Sequence, residues 1–283
     1  MQEPQTLSAC ESKWEKRSKR PMPKTAQSIQ PRRWSFLLTP LVLVVVVGLW
    51  QALVVWRDYP AFLLPSPQRV ASRFIEAVRN GTLQKHTWVT LQEVFAGLAL
   101  GLTIAVVLGY LLAKSRRLER LVSPYIVASQ AVPIVALAPL LVIWFGAGSL
   151  SKVLVCALTL FFPVLMNTMV GIRNVDADLV ELMRSLRASR WQVFRYLELP
   201  AALPVLLGGL KVGVTLSVIG AVVGEFVGAD RGLGFLVNLA RGLFDTPLMF
   251  VALFTLMAIA LILYGLVALL EARLLRWQSS DRS

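Results

Sequence analysis

The sequence predicts an all-α membrane protein with six transmembrane helices, and three observations carry that prediction. Hydrophobic residues make up 56% of the 283 and charged residues only 16%, where a soluble domain carries about 25% charged residues. The apolar residues fall into six blocks, Phe36–Val55, Leu91–Ala113, Leu121–Phe145, Val153–Gly171, Val205–Val227 and Leu248–Leu270. Each is close to the roughly 20 residues a helix needs to cross a bilayer, and hydrocarbon admits only helices or closed barrels as spanning structures. The basic residues then set the orientation. Of 29 Lys and Arg, 20 lie in segments 1–35, 114–120, 172–203 and 271–283, and 8 lie in 56–90, 146–152 and 228–247. The positive-inside rule places both termini in the cytoplasm. The net charge of +13 is thus a topology signal with a modest affinity for anionic lipid, not a nucleic-acid footprint.

Residues 1–35 are rich in Lys, Arg, Pro, Ser and Gln and are expected to form a disordered basic cytoplasmic tail. The first apolar run begins only at residue 36, is full length and lacks a small-x-small exit, so it is read as a retained span and not a cleaved signal. Cys10 in the tail and Cys156 inside a span sit too far apart in topology to pair, and no disulfide or metal site is expected.

The loop after the first span contains Ser66-Pro67, an N-cap followed by proline at the first helical position, and ends at Asn80-Gly81. Val70, Phe74 and Val78 recur every four residues, with Arg69, Arg73, Glu76 and Arg79 elsewhere on the wheel. That pattern fits an amphipathic helix along the outer interface, either a cover for the bundle or a docking surface. His86, the sole histidine, is read as an interfacial structural residue in preference to a ligand or proton carrier.

In the second span Ala96, Gly97, Ala99, Gly101 and Ala105 let another helix approach closely. The third holds Pro124, Pro133 and Pro139 with Gln130 near its middle, which predicts a kink. Such a kink either lines a path through the protein or serves packing alone. Asn167 and Thr168 are polar in the middle of the fourth span and need hydrogen-bond partners, from neighbouring helices or from a solute. Two ionisable residues are read as lying within a span, Lys211 and Glu225, both in the fifth. Lys211 has a stem long enough to snorkel from the inner half. Glu225 sits near the outer end beside Gly224 and Gly228, and an ionisable group at depth is a functional candidate by default. No carboxylate is read at the midplane, where an ion-coupled carrier would place one, so the driving energy is expected from another polypeptide.

Segment 172–203, a cytoplasmic loop, supplies the place for it. Asp178 with Glu181 reads as a capping box, and Leu182, Met183 and Leu186 follow as an apolar stripe. A second capping box, Ser189-x-x-Gln192, opens a helix with Trp191, Phe194 and Leu197 on one side, and Pro200 and Pro204 restart the chain as the fifth span. The two short helices add Arg184, Arg187, Arg190 and Arg195 to those apolar residues. That combination suits insertion into a groove on a soluble partner; the alternative is a solvated loop.

This segment resembles the cytoplasmic signature of permease subunits in binding-protein-dependent ATP-binding-cassette (ABC) importers. Glu181 matches its opening glutamate, Leu197 stands sixteen residues on, and Leu199-Pro200 close it. Leu182 and Met183 replace two alanines, and Arg187 replaces a glycine. If that glycine is left-handed at a helix C-terminus, arginine there costs roughly 1 kcal/mol. Further matches resemble the branch serving sulfonates, nitrate, taurine, thiamine-precursor pyrimidines and riboflavin. They are Leu64-Pro65-Ser66-Pro67, Gly81-Thr82-Leu83 with His86 and Leu91, Pro139-Leu140, Trp144-Phe145-Gly146, Phe161-Phe162-Pro163 with Asn167-Thr168, and Gly224-Glu225 with Gly232-Leu233-Gly234.

The resemblance implies a type I ABC importer permease fold over residues 36–271, with a short cytoplasmic tail at 272–283. It implies a homodimer of this chain in a bacterial inner membrane, two cytoplasmic ATPase subunits and an extracytoplasmic solute-binding protein. No catalytic residue, cofactor or metal is expected, and the sequence holds no GxxxxGK[ST] phosphate loop. The coupling set is Glu181, Leu182, Arg184, Leu186, Arg187, Ser189 and Trp191. The translocation-path set is Gln130, Pro133, Asn167, Thr168 and Glu225. The stretches 218–233 and 130–133 look most like riboflavin and pyrimidine-precursor permeases, so a neutral heteroaromatic solute is expected. The alternatives are a sulfonate, taurine or nitrate permease, or an ion-coupled carrier.

Overall fold

A computed structural model describes residues 35–57 and 59–276. The basic tail, Cys10 and the end of the chain from 277 lie outside the described residues. Among these, ten helices follow one another and no strand occurs. They are α1 (Ser35–Arg57), α2 (Pro67–Arg79), α3 (Thr82–Lys114), α4 (Arg116–Gln130), α5 (Ile134–Phe145), α6 (Ser149–Arg173), α7 (Ala177–Ser185), α8 (Arg190–Gly228), α9 (Leu233–Gly242) and α10 (Thr246–Leu274). Helices α1, α3, α6, α8 and α10 are each long and apolar enough to cross a membrane, and the bent pair α4–α5 makes a sixth span if counted as one.

α6 is the centre of the bundle, packed along α3 on one side and α8 on the other. The small-residue stripes explain how close these helices come. A Cβ on Gly101 would lie 2.7 Å from the carbonyl oxygen of Ala157, and one on Gly109 would lie 2.8 Å from Cβ of Thr168. On the opposite flank, Cβ atoms on Gly220 and Gly224 would meet Cys156 and Lys152 of α6 at 2.7 and 3.1 Å. Van der Waals contact between backbones, not a hydrophobic driving force, holds helices together in lipid, and small residues permit it. Between the glycines Ala105, Leu160, Val164 and Leu165 are buried.

The third span does not merely kink. It breaks between α4 and α5 with a 94° change of direction. Of its three prolines only Pro133 sits at the break, as the extended N-cap of α5 (φ −65°, ψ 124°); Pro124 and Pro139 are carried inside helices. Proline biases the residue before it away from the helical region, and that residue, Val132, lies in the two-residue link after Gln130, whose first member Ala131 is still helical (φ −72°, ψ −18°).

The fifth span begins earlier than its apolar block. α8 runs without interruption from Arg190, so Pro200 and Pro204 do not restart the chain. A π-helical turn over Phe194–Glu198, in which Leu199 N–H donates to the Phe194 carbonyl, makes room just ahead of Pro200. The wider turn accommodates a residue with no N–H to donate and a ring that crowds the preceding turn.

α2 begins and ends as its caps predict: the Ser66 hydroxyl accepts from Arg69 N–H, and Asn80 closes it. Its protein-facing residues are Val70 and Ala77, while Phe74, Ile75 and Val78 stay largely uncovered. The outer helix is tied down by charge. Arg73 donates from Nε and Nη2 to Oδ2 of Asp245 at 2.9 and 2.7 Å, and the other Asp245 oxygen N-caps α10. Lys211 does not reach out alone; it pairs with Glu271 on α10 and lies over the Tyr264 ring. α9, in a segment to which the sequence reading assigned no element, buries Leu233, Leu236, Val237 and Ala240.

Candidate functional site

Two places gather the chemistry, one at each end of the bundle. The first is α7 with the start of α8. The cap of α7 is Asp176, whose carboxylate accepts from Asp178 N–H at 2.9 Å. Asp178 therefore falls inside the first turn, where a negative charge suits the helix dipole, and Glu181 has no capping role. The second box forms as read: Ser189 Oγ accepts from Gln192 N–H while Gln192 Oε1 accepts from Ser189 N–H.

Between the helices Arg187 is left-handed, with φ 56°. Ala188 N–H donates to the Met183 carbonyl and Arg187 N–H to that of Arg184, the paired bonds of a Schellman C-cap. The turn geometry of the glycine is thus kept by an arginine. Arg187→Gly is expected to stabilise the protein by up to about 1 kcal/mol, since a side chain in this region costs roughly that much. A small upward shift of the thermal midpoint in detergent checks it; a fall would show that the side chain contributes more than the backbone loses.

α7 buries no residue. Leu182 and Leu186 are 55% and 69% exposed, with Leu179 beside them on the same face, while Met183 turns inward. The other members of the coupling set diverge from that face. Arg184 lines a polar cavity with Lys114, Arg190 and Glu198. Trp191 lies against Phe194 with ring centroids 5.5 Å apart and planes tilted by 33°, and faces an apolar groove. Glu198 is buried, paired with Lys114 and accepting from Tyr110 Oη at 3.2 Å.

The second place is the opposite end, where α3, α6, α8 and α9 meet. Glu225 is 1% exposed. Its Oε1 accepts from the Thr90 hydroxyl at 2.6 Å and its Oε2 from Gly234 N–H. Thr90 Oγ1 in turn accepts from Leu233 N–H at 2.8 Å, and His86 Nδ1 accepts from Gly232 N–H at 3.0 Å. Three consecutive N–H groups at the start of α9 are therefore spent on side chains from α3 and α8. They are the orphan donors that every helix N-terminus presents. Gly232 has φ 111°, and a Cβ on it would collide with the Glu225 carboxyl. Only glycine fits there, for both reasons. His86 also stacks on Phe235 with centroids 5.8 Å apart.

Glu93, read as part of an apolar block, joins this cluster. It is 3% exposed, shares the chamber with Glu225 and Lys152, and has one oxygen with no hydrogen-bond partner among the described residues. Lys152, read as a loop residue, is buried and donates to the carbonyls of Ala147, Gly148 and Gly228. The reading of Lys211 and Glu225 as the ionisable residues within spans is corrected by these two. A signal for Glu93 was present. His86, Thr90, Glu93, Gly97, Gly101, Ala105 and Gly109 form one stripe of α3, so the small-residue face continues into polar residues.

The path candidates are not brought together. Gln130 and Pro133 flank the α4–α5 break. Asn167 donates to the Pro163 carbonyl and Thr168 to the Val164 carbonyl, both within α6, and Thr168 packs against Gly109. Glu225 is closed inside its cluster.

Comparison with known proteins resolves what this arrangement belongs to. A family described as "Binding-protein-dependent transport system inner membrane component" matches residues 97–276. The chain belongs to that family. This ABC importer permease is 52% identical over 254 residues to the riboflavin transport system permease protein of Chloroflexus aurantiacus, covering 90% of this chain and 95% of that one. It is 35% identical to the formylaminopyrimidine transport permease protein of Halalkalibacterium halodurans (88% and 99% covered) and 32% identical to a putative aliphatic sulfonates transport permease protein of Bacillus subtilis (92% and 96%). Among solved structures, an inward-facing MetNI methionine ABC transporter superposes with TM-score 0.57 at 21% identity, covering 68% of this chain and 93% of that one. A likeness at that identity speaks for the fold alone. The permease is a multi-pass inner-membrane protein with the fold of ABC importer permeases.

Proposed function

We propose that this permease forms, as a homodimer, the translocation path of an ATP-driven importer for riboflavin, with both termini in the cytoplasm. ATP is hydrolysed by separate subunits that dock on α7, and an extracytoplasmic binding protein delivers the solute. The observation that carries the coupling role is the unburied face of α7, where Glu181, Leu182 and Leu186 stand clear of the bundle on a helix with rigid caps at both ends of its turn. An apolar stripe on a short helix is the shape that enters a groove on a partner. The solute assignment is supported by the 52% identity to a riboflavin permease over nearly the whole of both chains. A pyrimidine thiamine precursor is the second reading, supported by the 35% relative.

The test is reconstitution of the tagged permease with the ATPase and binding protein of its host, wild type against Glu181→Arg plus Leu186→Ala, both on the unburied face of α7. The wild type is expected to retain the ATPase on purification and to accumulate riboflavin only with ATP, while taurine and formylaminopyrimidine are left behind. The double variant is expected to lose about 90% or more of both, a change of about 1.4 kcal/mol in docking. Riboflavin uptake by the permease alone, driven by an ion gradient, would replace this reading with a secondary carrier.

A further inference from the structure

The polar cavity and the apolar groove at the α7 end of the bundle are two halves of one amphipathic site. The cavity, about 600 Å³, is lined by Tyr110, Lys114, Arg184, Arg190 and Glu198. The groove, about 480 Å³, is lined by Val106, Leu111, Ile172, Trp191, Phe194 and Leu206. Tyr110 and Arg190 line both, so the two adjoin.

Their charges do not balance. Glu198 is satisfied by Lys114 and by Tyr110, which leaves the guanidinium groups of Arg184 and Arg190. Among the described residues neither has a hydrogen-bond acceptor or an anionic partner. Guanidinium forks bind phosphate oxygens in bidentate geometry. Basic pockets between transmembrane helices, at the level of the headgroups, suit anionic lipid. That level is marked by Trp191 and Tyr196, both largely exposed, as aromatic side chains are at the membrane–water boundary. It is marked also by Arg116, Arg117 and Arg120 just beyond Lys114.

From this juxtaposition we infer that the site holds a membrane phospholipid. Its anionic phosphate diester lies between Arg184 and Arg190, and an acyl chain lies in the groove between α3, α6 and α8. A free anion would use the cavity and leave the groove empty; the apolar half is what selects a lipid. Because Arg184 belongs to α7 and the groove to the spanning helices, the lipid would join the docking helix to the bundle at the place where motion has to pass. That consequence rests on the docking role of α7. The binding itself does not.

The experiment is native mass spectrometry of the full chain in detergent, without ATPase, after equilibration with phosphatidylglycerol or phosphatidylcholine. Wild type is expected to retain phosphatidylglycerol in preference, and excess inorganic phosphate is expected not to displace it. Arg184→Gln plus Arg190→Gln is expected to lower retention about tenfold, while Arg117→Gln, a cation removed at the same membrane level, leaves it unchanged. Both arginines are exposed, so the exchange leaves no buried group unpaired. Val107 also lines the groove; Val107→Trp fills it and keeps the cations, and is expected to lose the lipid as well. Equal retention of the two lipids, indifference to the arginine variants, or displacement by phosphate would overturn the assignment. So would a Val107→Trp protein that keeps its lipid and loses its dimer, which would give the groove to a second copy of the chain.

Discussion

Glu225→Ala is expected to lower the thermal midpoint of the protein more than any other single substitution considered for it. The substitution leaves Gly234 N–H without its acceptor in a closed chamber, at about 1–3 kcal/mol for a buried donor left unmade, and leaves the Thr90 hydroxyl with only its longer bond to the His86 carbonyl at 3.2 Å. It also opens a cavity beside Gly232, whose backbone the carboxyl touches. With a cavity cost of about 2 kcal/mol the total is about 3–5 kcal/mol, a large share of the roughly 5–15 kcal/mol by which folded domains are stable. The measurement is the thermal midpoint of the detergent-purified permease by size-exclusion, with Glu225→Gln as comparator. Glutamine keeps the length and one acceptor, and should lose less than half as much. An alanine variant that elutes as a monodisperse peak at the wild-type temperature would show that the α9 junction is held by packing alone.

Gly220→Leu is the second large effect. Its Cβ would lie 2.7 Å from the Cα of Cys156 and 2.9 Å from Oγ1 of Thr159. The first of these is backbone, which no rotamer change relieves. Overpacking of a core costs about 1–3 kcal/mol where side chains can shift; here α6 and α8 must separate along their shared face, so the upper part of that range or more is expected. Gly208 is the control. It lies in the same helix with nothing within 4 Å of an added Cβ, and Gly208→Leu should accumulate as wild type does. Equal behaviour of the two variants would mean that the α6–α8 contact is looser than these distances.

The same helix shows what a local reading can and cannot reach. The capping box Ser189–Gln192 is written in four consecutive residues and forms as written. The π-helical turn that carries the chain past Pro200 into the membrane is not. Its wide turn compensates a missing donor and a crowded ring, a choice between breaking and bending that depends on what α8 packs against. At Pro133 the chain breaks, at Pro124 and Pro139 it does not, and all three residues look alike in the sequence. On α7, Leu182 and Leu186 of the exposed stripe were legible from their spacing, but Met183, read with them, turns inward and Leu179 takes its place. The turning of Arg184 and Trp191 toward the bundle was not, because it depends on where α3 ends.

The sequence by itself determined the six apolar blocks, the caps of α2 and α8, the Gly97, Gly101 and Ala105 contact face of α3 (though not that Ala96 and Ala99, read with them, point away) and the family of the docking segment. Each is a matter of composition or of residues within about one turn of one another, where hydrogen-bond supply and lipid solvation act locally. Only the tertiary structure decided that His86, Thr90, Glu93, Lys152, Glu225 and the start of α9 form a single buried cluster. It likewise decided that a polar cavity lined by two unpaired arginines, Arg184 and Arg190, adjoins an apolar groove. Those groups come from helices far apart in the chain. They meet because glycine faces let α3, α6 and α8 close on one another, and the register of that contact is set by three-dimensional packing.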